Sequence, residues 1–218
     1  MSPGDKDILS GVSWQDVFFG GGFRTMAISL FLPAAGRRVP INDLSLRAFR
    51  AAFAHLHSPS LESLVGDYRA EFVGPGWLRR WAPPGLVITP LAGWLGKSFD
   101  SQGHGINLVQ RRGVVQRVLP MAAQWLPSRV DGRRGVTLTY APGSAFPFAY
   151  VVDELRTIDA DTLLGLSFGA APWLARLPMP FLLRRQAKLS AFFGHSPLAG
   201  ADLDLTRDMS LPRDEGAL

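Results

Sequence analysis

In the stretch Leu64-Val65-Gly66-Asp67-Tyr68-Arg69-Ala70-Glu71-Phe72-Val73, Tyr68, Ala70 and Phe72 fall on one side and Asp67, Arg69 and Glu71 on the other. A two-residue period is that of a strand half buried in a sheet. Outward along the chain, further strand patterns fall at 87–94, 105–111, 113–119, 121–127, 135–141, 147–157, 161–168 and 180–186. Gly, Pro or Asp-Gly breaks separate most of them, and Asp131-Gly132 reads as a hairpin turn. The helical patterns that a doubly wound sheet needs between its strands are missing. About eight or nine short strands at this spacing suit an antiparallel barrel or sandwich. The expectation taken forward is a mainly β chain that closes into a barrel.

Before this region the pattern differs. Leu46, Phe49, Phe53 and Leu56 recur at helical spacing, Asp43 or Ser45 can cap the helix, and Ser58-Pro59 ends it near His57. Met26 to Leu32 reads as a strand or an extended cover, and Phe18-Phe19-Gly20-Gly21-Gly22-Phe23 as an apolar loop. The expected organisation is an N-terminal extension and helix over 1–59, packed on a barrel over 60–198, with a mobile acidic tail over 199–218.

Composition narrows the chemistry. With no cysteine among 218 residues, disulfides, thiolate metal sites and cysteine nucleophiles are excluded. The same absence fits a reducing, cytoplasmic compartment. The net charge of +5 is carried almost wholly by arginine. The arginines stand as scattered pairs beside turns, the pattern of solvated strand ends, so nucleic acid is not the expected partner. No stretch reaches the roughly 20 apolar residues of a membrane helix. Trp77, Trp81 and Arg79-Arg80 nevertheless make an aromatic, basic segment of the kind that sits on a membrane surface or covers a barrel mouth.

The apparent catalytic motif is Gly165-Leu166-Ser167-Phe168-Gly169, a match to the nucleophile elbow G-x-S-x-G. The order Ser, acid, His fails, because no Asp or Glu lies between Ser167 and His195. His55 and His57 are two apart and point to different faces of a helix. Gly20–Gly22 lacks the Lys-Ser/Thr of a phosphate loop. No metal or cofactor is expected.

Polar residues on apolar strands are more informative. In Tyr150-Val151-Val152-Asp153-Glu154-Leu155-Arg156 one of the two adjacent acids must face inward. If Asp153 does, it shares its face with Val151 and Leu155. If Glu154 does, Arg156 shares its face and can pair with it. Either reads first as an interior salt bridge, and otherwise as an acid that orients a ligand or moves a proton. Trp94 and Lys97 between glycines, with Tyr68, Asn107 and Tyr140 on strands, complete an apolar cavity with few polar groups.

Four stretches resemble one family. Gly66-Asp67-Tyr68-Arg69-Ala70 is similar to its G-x-W-x-G element, with Tyr for Trp and Ala for the second Gly. Gly93-Trp94-Leu95-Gly96-Lys97-Ser98-Phe99 is similar to its W-x-G-K-x-F stretch. Val152–Arg156 followed by Ile158-Asp159-Ala160-Asp161-Thr162-Leu163-Leu164-Gly165 resembles its F-R-x-V-D-x-D-T-L-L-G block, and Phe181–Arg185 its closing strand. The family is the GXWXG/DUF4334 group, and the resemblance implies a small calycin-like, lipocalin-like barrel. In such barrels an aromatic on the first strand packs under an arginine from the last, a part that would fall to Tyr68 with Arg184 or Arg185.

The function expected from these readings is binding of a hydrophobic small molecule, a lipid, terpenoid or polyketide-like compound, inside the barrel. Tyr68, Trp94, Lys97, Asn107, Tyr140 and Arg156 would be its contacts. The alternative is a cofactor-free isomerase or cyclase with Asp153 or Glu154 as acid and base. Peripheral membrane contact is a further expected interaction.

Overall fold

The structure, a computed structural model, describes residues 28–32, 36–169 and 178–186. The expected glycine loop at 18–23, His195 and the acidic tail lie outside those residues. Strands β1 (Ser29–Leu32) and β2 (Arg37–Pro40) form a small antiparallel ribbon. Helix α1 (Leu46–His55) follows, capped by Ser45, whose hydroxyl accepts from the Ala48 N–H at 3.2 Å. Then come β3 (Gly66–Phe72), α2 (Gly76–Leu86), β4 (Trp94–Phe99), β5 (His104–Arg111) and β6 (Val114–Pro127). β7 (Arg134–Tyr140), β8 (Val152–Asp159), β9 (Thr162–Phe168) and β10 (Met179–Arg185) complete the chain of strands.

β3 to β10 pair in sequence order, each antiparallel to the next, and β10 returns to pair with β3. This is a closed eight-strand barrel without a free edge.

The expected order of elements is corrected in three places. The patterns at 113–119 and 121–127 are one strand, β6, running through Pro120. Leu119 is an extra residue with φ 50°, so Asn107 pairs with Val118 while Ile106 pairs with Pro120. A bulge of this kind spares the ladder the N–H that proline lacks. The strand expected at 87–94 is instead a turn leading into β4. α2 is a further element that the strand reading does not contain, and it carries Pro83 and Pro84. Those prolines fall in its second half, and Pro75 accepts from the Leu78 and Arg79 N–H groups to start it.

Alternation sorts the side chains into two cores. Tyr68, Phe99, Val109, Met121, Leu138, Leu155, Phe181 and Leu183 fill the barrel interior. Leu164, Leu166, Phe168 and Leu182 face outward, where Leu30, Phe49 and Phe53 from β1 and α1 cover them. The second core is why one side of the barrel has few polar residues on its outer face.

The two barrel ends differ. Tyr68 lies at the closed end, where the Arg185 guanidinium sits 4.8 Å from its ring and donates to its hydroxyl. Arg185 also donates to the Val65 carbonyl at 2.6 Å and to the Ser63 carbonyl. The aromatic–arginine contact expected of the first and last strands is therefore present, through Arg185. Arg184 pairs instead with Glu71 at 3.3 Å. The opposite end carries α2 and the 141–151 connection.

Candidate functional site

The open end holds a cavity of about 360 Å³. Leu78 and Trp81 from α2, Phe148 and Val151 from the β7–β8 connection, and Phe72 and Phe181 from the strands give it apolar walls. β4, β7, β8 and β9 contribute its polar residues, Lys97, Tyr140, Asp153 and Ser167.

Each polar side chain is placed by strand register. On β8 the odd positions face inward, so Asp153 enters the barrel with Val151 and Leu155. On β4, Lys97 is brought inward beyond a register shift between Trp94 and Gly96. There a glycine is required, since a Cβ at position 96 would overlap the Tyr68 carbonyl. Tyr140 ends β7, and Ser167 on β9 stands opposite Asp153 in the β8–β9 pairing.

Lys97 Nζ is the hub. It donates to Asn107 Oδ1 at 3.0 Å and Tyr140 OH at 3.0 Å, and pairs with Asp153 Oδ2 at 3.0 Å. Tyr140 donates its own hydroxyl hydrogen bond to Asp153 Oδ2 at 3.2 Å. Asn107 is held from both sides, accepting from Trp94 Nε1 at 3.2 Å and donating to the carbonyl of the bulged Leu119 at 3.1 Å. Trp94 and Phe181 place their rings 5.5 and 5.8 Å from the ammonium. Burial works against the Lys97 charge, but the Asp153 carboxylate and the Tyr140 hydroxyl outweigh it and hold Lys97 above the ordinary lysine value. Burial and then the Asp153 charge push Tyr140 above the ordinary tyrosine value. The cluster is a Lys97–Asp153 ion pair bridged by the Tyr140 hydroxyl.

Of the residues expected at the ligand, Trp94, Lys97, Tyr140 and Asp153 come together at the cavity, and Asn107 lies directly behind Lys97. Tyr68 belongs to the closed end. Glu154 and Arg156 are turned away, because even positions of β8 face outward beneath α1. Glu154 accepts from the Ser128 hydroxyl and from the Arg129 N–H at 2.6 Å, which ties down the β6–β7 loop. Arg156 lies 4.9 Å from the Phe53 ring and 3.7 Å from Asp131 Oδ1, rather than pairing with Glu154. The catalytic expectation for Glu154 and the ligand-contact expectation for Arg156 are corrected on this placement.

Sequence reasoning missed Ser167 as a cavity residue. The G-x-S-x-G pattern frames Ser167 only as a nucleophile to accept or reject, whereas its position within β9 makes it a wall residue. Its signal was the alternation Leu163, Gly165, Ser167, one face of one strand. Leu78 was missed as a wall residue along with the helix that carries it, whereas Trp81 belongs to the segment read as a cover for the barrel mouth.

The rim is apolar and basic. Trp77 is 58% exposed, Trp81 66% and Ile88 94%, with Phe146 and Tyr150 exposed on the neighbouring connection. Arg80 is exposed among them, and no Asp or Glu occurs between Glu71 and Asp100. Among the described residues no group of His, Asp and Glu has the arrangement of a metal site, and no helix is long and apolar enough to cross a membrane.

No protein-family model matches the chain, and no curated protein matches it. The crystal structure of a protein from Thermomonospora curvata is similar, with a TM-score of 0.52 at 16% identity over 66% of this chain and 90% of that one. At that identity the likeness bears on the fold alone.

Proposed function

We propose that the barrel binds a hydrophobic small molecule in the cavity at its open end. The observation that supports this is the cavity itself, about 360 Å³ with apolar walls and a few convergent polar groups. The ligand enters past α2, whose Leu78 and Trp81 form one wall. Isomerase or cyclase chemistry would use Asp153 as its acid and base. Holding is favoured over turnover because Asp153 Oδ2 is already engaged by Lys97 and Tyr140. Native mass spectrometry of freshly purified protein, with titration of a neutral fluorescent probe, tests the reading. Stoichiometric binding that is lost in A82W, which fills the cavity from α2, is the expected result. A protein that takes up no lipophilic probe overturns it.

A second reading concerns the rim. Exposed Trp77, Trp81 and Ile88 beside Arg80, in a segment free of acidic residues, suit the surface of an anionic membrane from which such a ligand is loaded. Co-sedimentation with vesicles containing phosphatidylglycerol, weakened in W77A/W81A, is expected. Equal recovery with and without vesicles removes the reading.

A further inference from the structure

Lys97 is the natural candidate to receive a ligand carboxylate, and its bonding rules it out. An ammonium has three N–H donors. All three are used, on Asn107 Oδ1, Tyr140 OH and Asp153 Oδ2, each at 3.0 Å. The Tyr140 proton is used on Asp153 Oδ2. Thr89, at the rim, donates to the Leu86 carbonyl at 2.8 Å and accepts from the Leu91 N–H at 3.1 Å.

Two polar atoms facing the cavity remain uncommitted among the described residues. Asp153 Oδ1 takes no hydrogen bond, although the residue is only 3% exposed, and Ser167 Oγ takes none either. Asp153 and Ser167 are directly opposed in the antiparallel β8–β9 pair, on the same inward face. Such pairs hold their Cβ atoms about 4.5–5.5 Å apart. One atom only accepts; the other donates or accepts. A single group that donates to one and accepts from the other can bridge them.

We infer that Asp153 and Ser167 together read a hydroxyl group, so that the ligand is a hydrophobic alcohol and not a fatty acid. This rests on the ligand-binding reading above. The alcohol donates its proton to Asp153 Oδ1 and accepts from the Ser167 hydroxyl, while its carbon skeleton occupies the apolar part of the cavity. A carboxylate brings only acceptors and negative charge to Asp153, and finds no free N–H on Lys97. An ammonium would place a second cation against a carboxylate that Lys97 already neutralises. An ether can accept from Ser167 but leaves Asp153 Oδ1 without a donor, the cost that lets a polar site reject an analogue lacking the matching group.

The test is competitive displacement of N-phenyl-1-naphthylamine by three probes of equal chain, 1-dodecanol, dodecyl methyl ether and dodecanoate. The alcohol is expected to bind about tenfold or more tightly than the ether, the scale of a hydrogen bond to a charged acceptor, with dodecanoate weakest. S167A narrows the alcohol's advantage and leaves ether binding unchanged; D153N reduces the advantage further. S167A removes one oxygen from a strand interior and keeps the inference testable if D153N does not fold. Alcohol and ether binding alike, or dodecanoate binding tightest, overturns the hydroxyl assignment while leaving ligand binding intact. Failure of all three probes and of the dye overturns ligand binding, and the assignment with it.

Discussion

Lys97 Nζ lies 3.0 Å from Asp153 Oδ2, with side chains 1% and 4% exposed, so each is the other's counter-charge inside the barrel. Taking both ions from water is costly, and the pair is maintained by the bonds that Tyr140 and Asn107 add to it.

Removing one partner strands the other. K97M leaves the Asp153 charge buried and is expected to cost about 3–5 kcal/mol in chemical denaturation. The double variant K97M/D153L is expected to lose less than K97M alone, since no unpaired ion remains. Full recovery is not expected, because the Tyr140 hydroxyl also loses a partner. Additive losses in the double variant would count against a coupled pair.

Alkali should act on the same cluster. Lys97 and Tyr140 both have folded pKa values raised above their ordinary ones. The native state therefore keeps protons that the unfolded chain releases. The associated stability is complete below about pH 10 and is lost as pH rises through the raised values. Tyr68 is raised too, by burial that outweighs the Arg185 charge. In Y150F, absorbance at 295 nm should show both remaining tyrosines ionising above the ordinary tyrosine range. A normal titration would refute the enclosed placement of Tyr140.

Gly165 faces inward, where a Cβ would overlap the Phe181 ring. G165A is expected to destabilise by about 1–3 kcal/mol through overpacking. Shrinking the ring should relieve it, so G165A/F181L should be more stable than G165A. Urea midpoints for the four species of the cycle check this, and a coupling of zero would sink it.

At the closed end, R185A removes the donors to Ser63, Val65 and Tyr68 together with the ring contact. A loss of about 2–4 kcal/mol is expected from charge-assisted bonds and cation–π stacking. R185K should recover less than half, since an ammonium cannot reach three acceptors in a planar fork. Thermal unfolding of the two variants measures the difference.

Much of this architecture was legible because strand alternation is a local signal. Tyr68, Ala70 and Phe72 announce an inward face without reference to the rest of the chain. The same period stated that Asp153 and Glu154 part company, but not which one enters. That depends on α1 covering the outer face of β8 and β9, a relation spanning about a hundred residues. Pro120 reads as the end of a strand only if bulges are ignored; Leu119 absorbs the irregularity and β6 continues. α2 was not legible in the aromatic, basic segment around Trp77 and Trp81, because a helix with Pro83 and Pro84 in its second half carries no sustained helical pattern. Ser167 was obscured by a motif whose letters are satisfied without its geometry.

The order in which β3 to β10 pair also has a kinetic meaning. Seven of the strand contacts join sequence neighbours across connections, whereas β3 with β10 unites groups as distant as Tyr68 and Arg185, 117 positions apart. Hairpins with short connections can assemble early, and the seam must wait until the whole chain has been gathered. Until then β3 and β10 each expose a row of unpaired backbone groups, the surfaces through which two partly folded copies would exchange strands. Arg185 locks that seam shut at one end, so the residue that stabilises the finished barrel also marks the last place at which it can still go wrong.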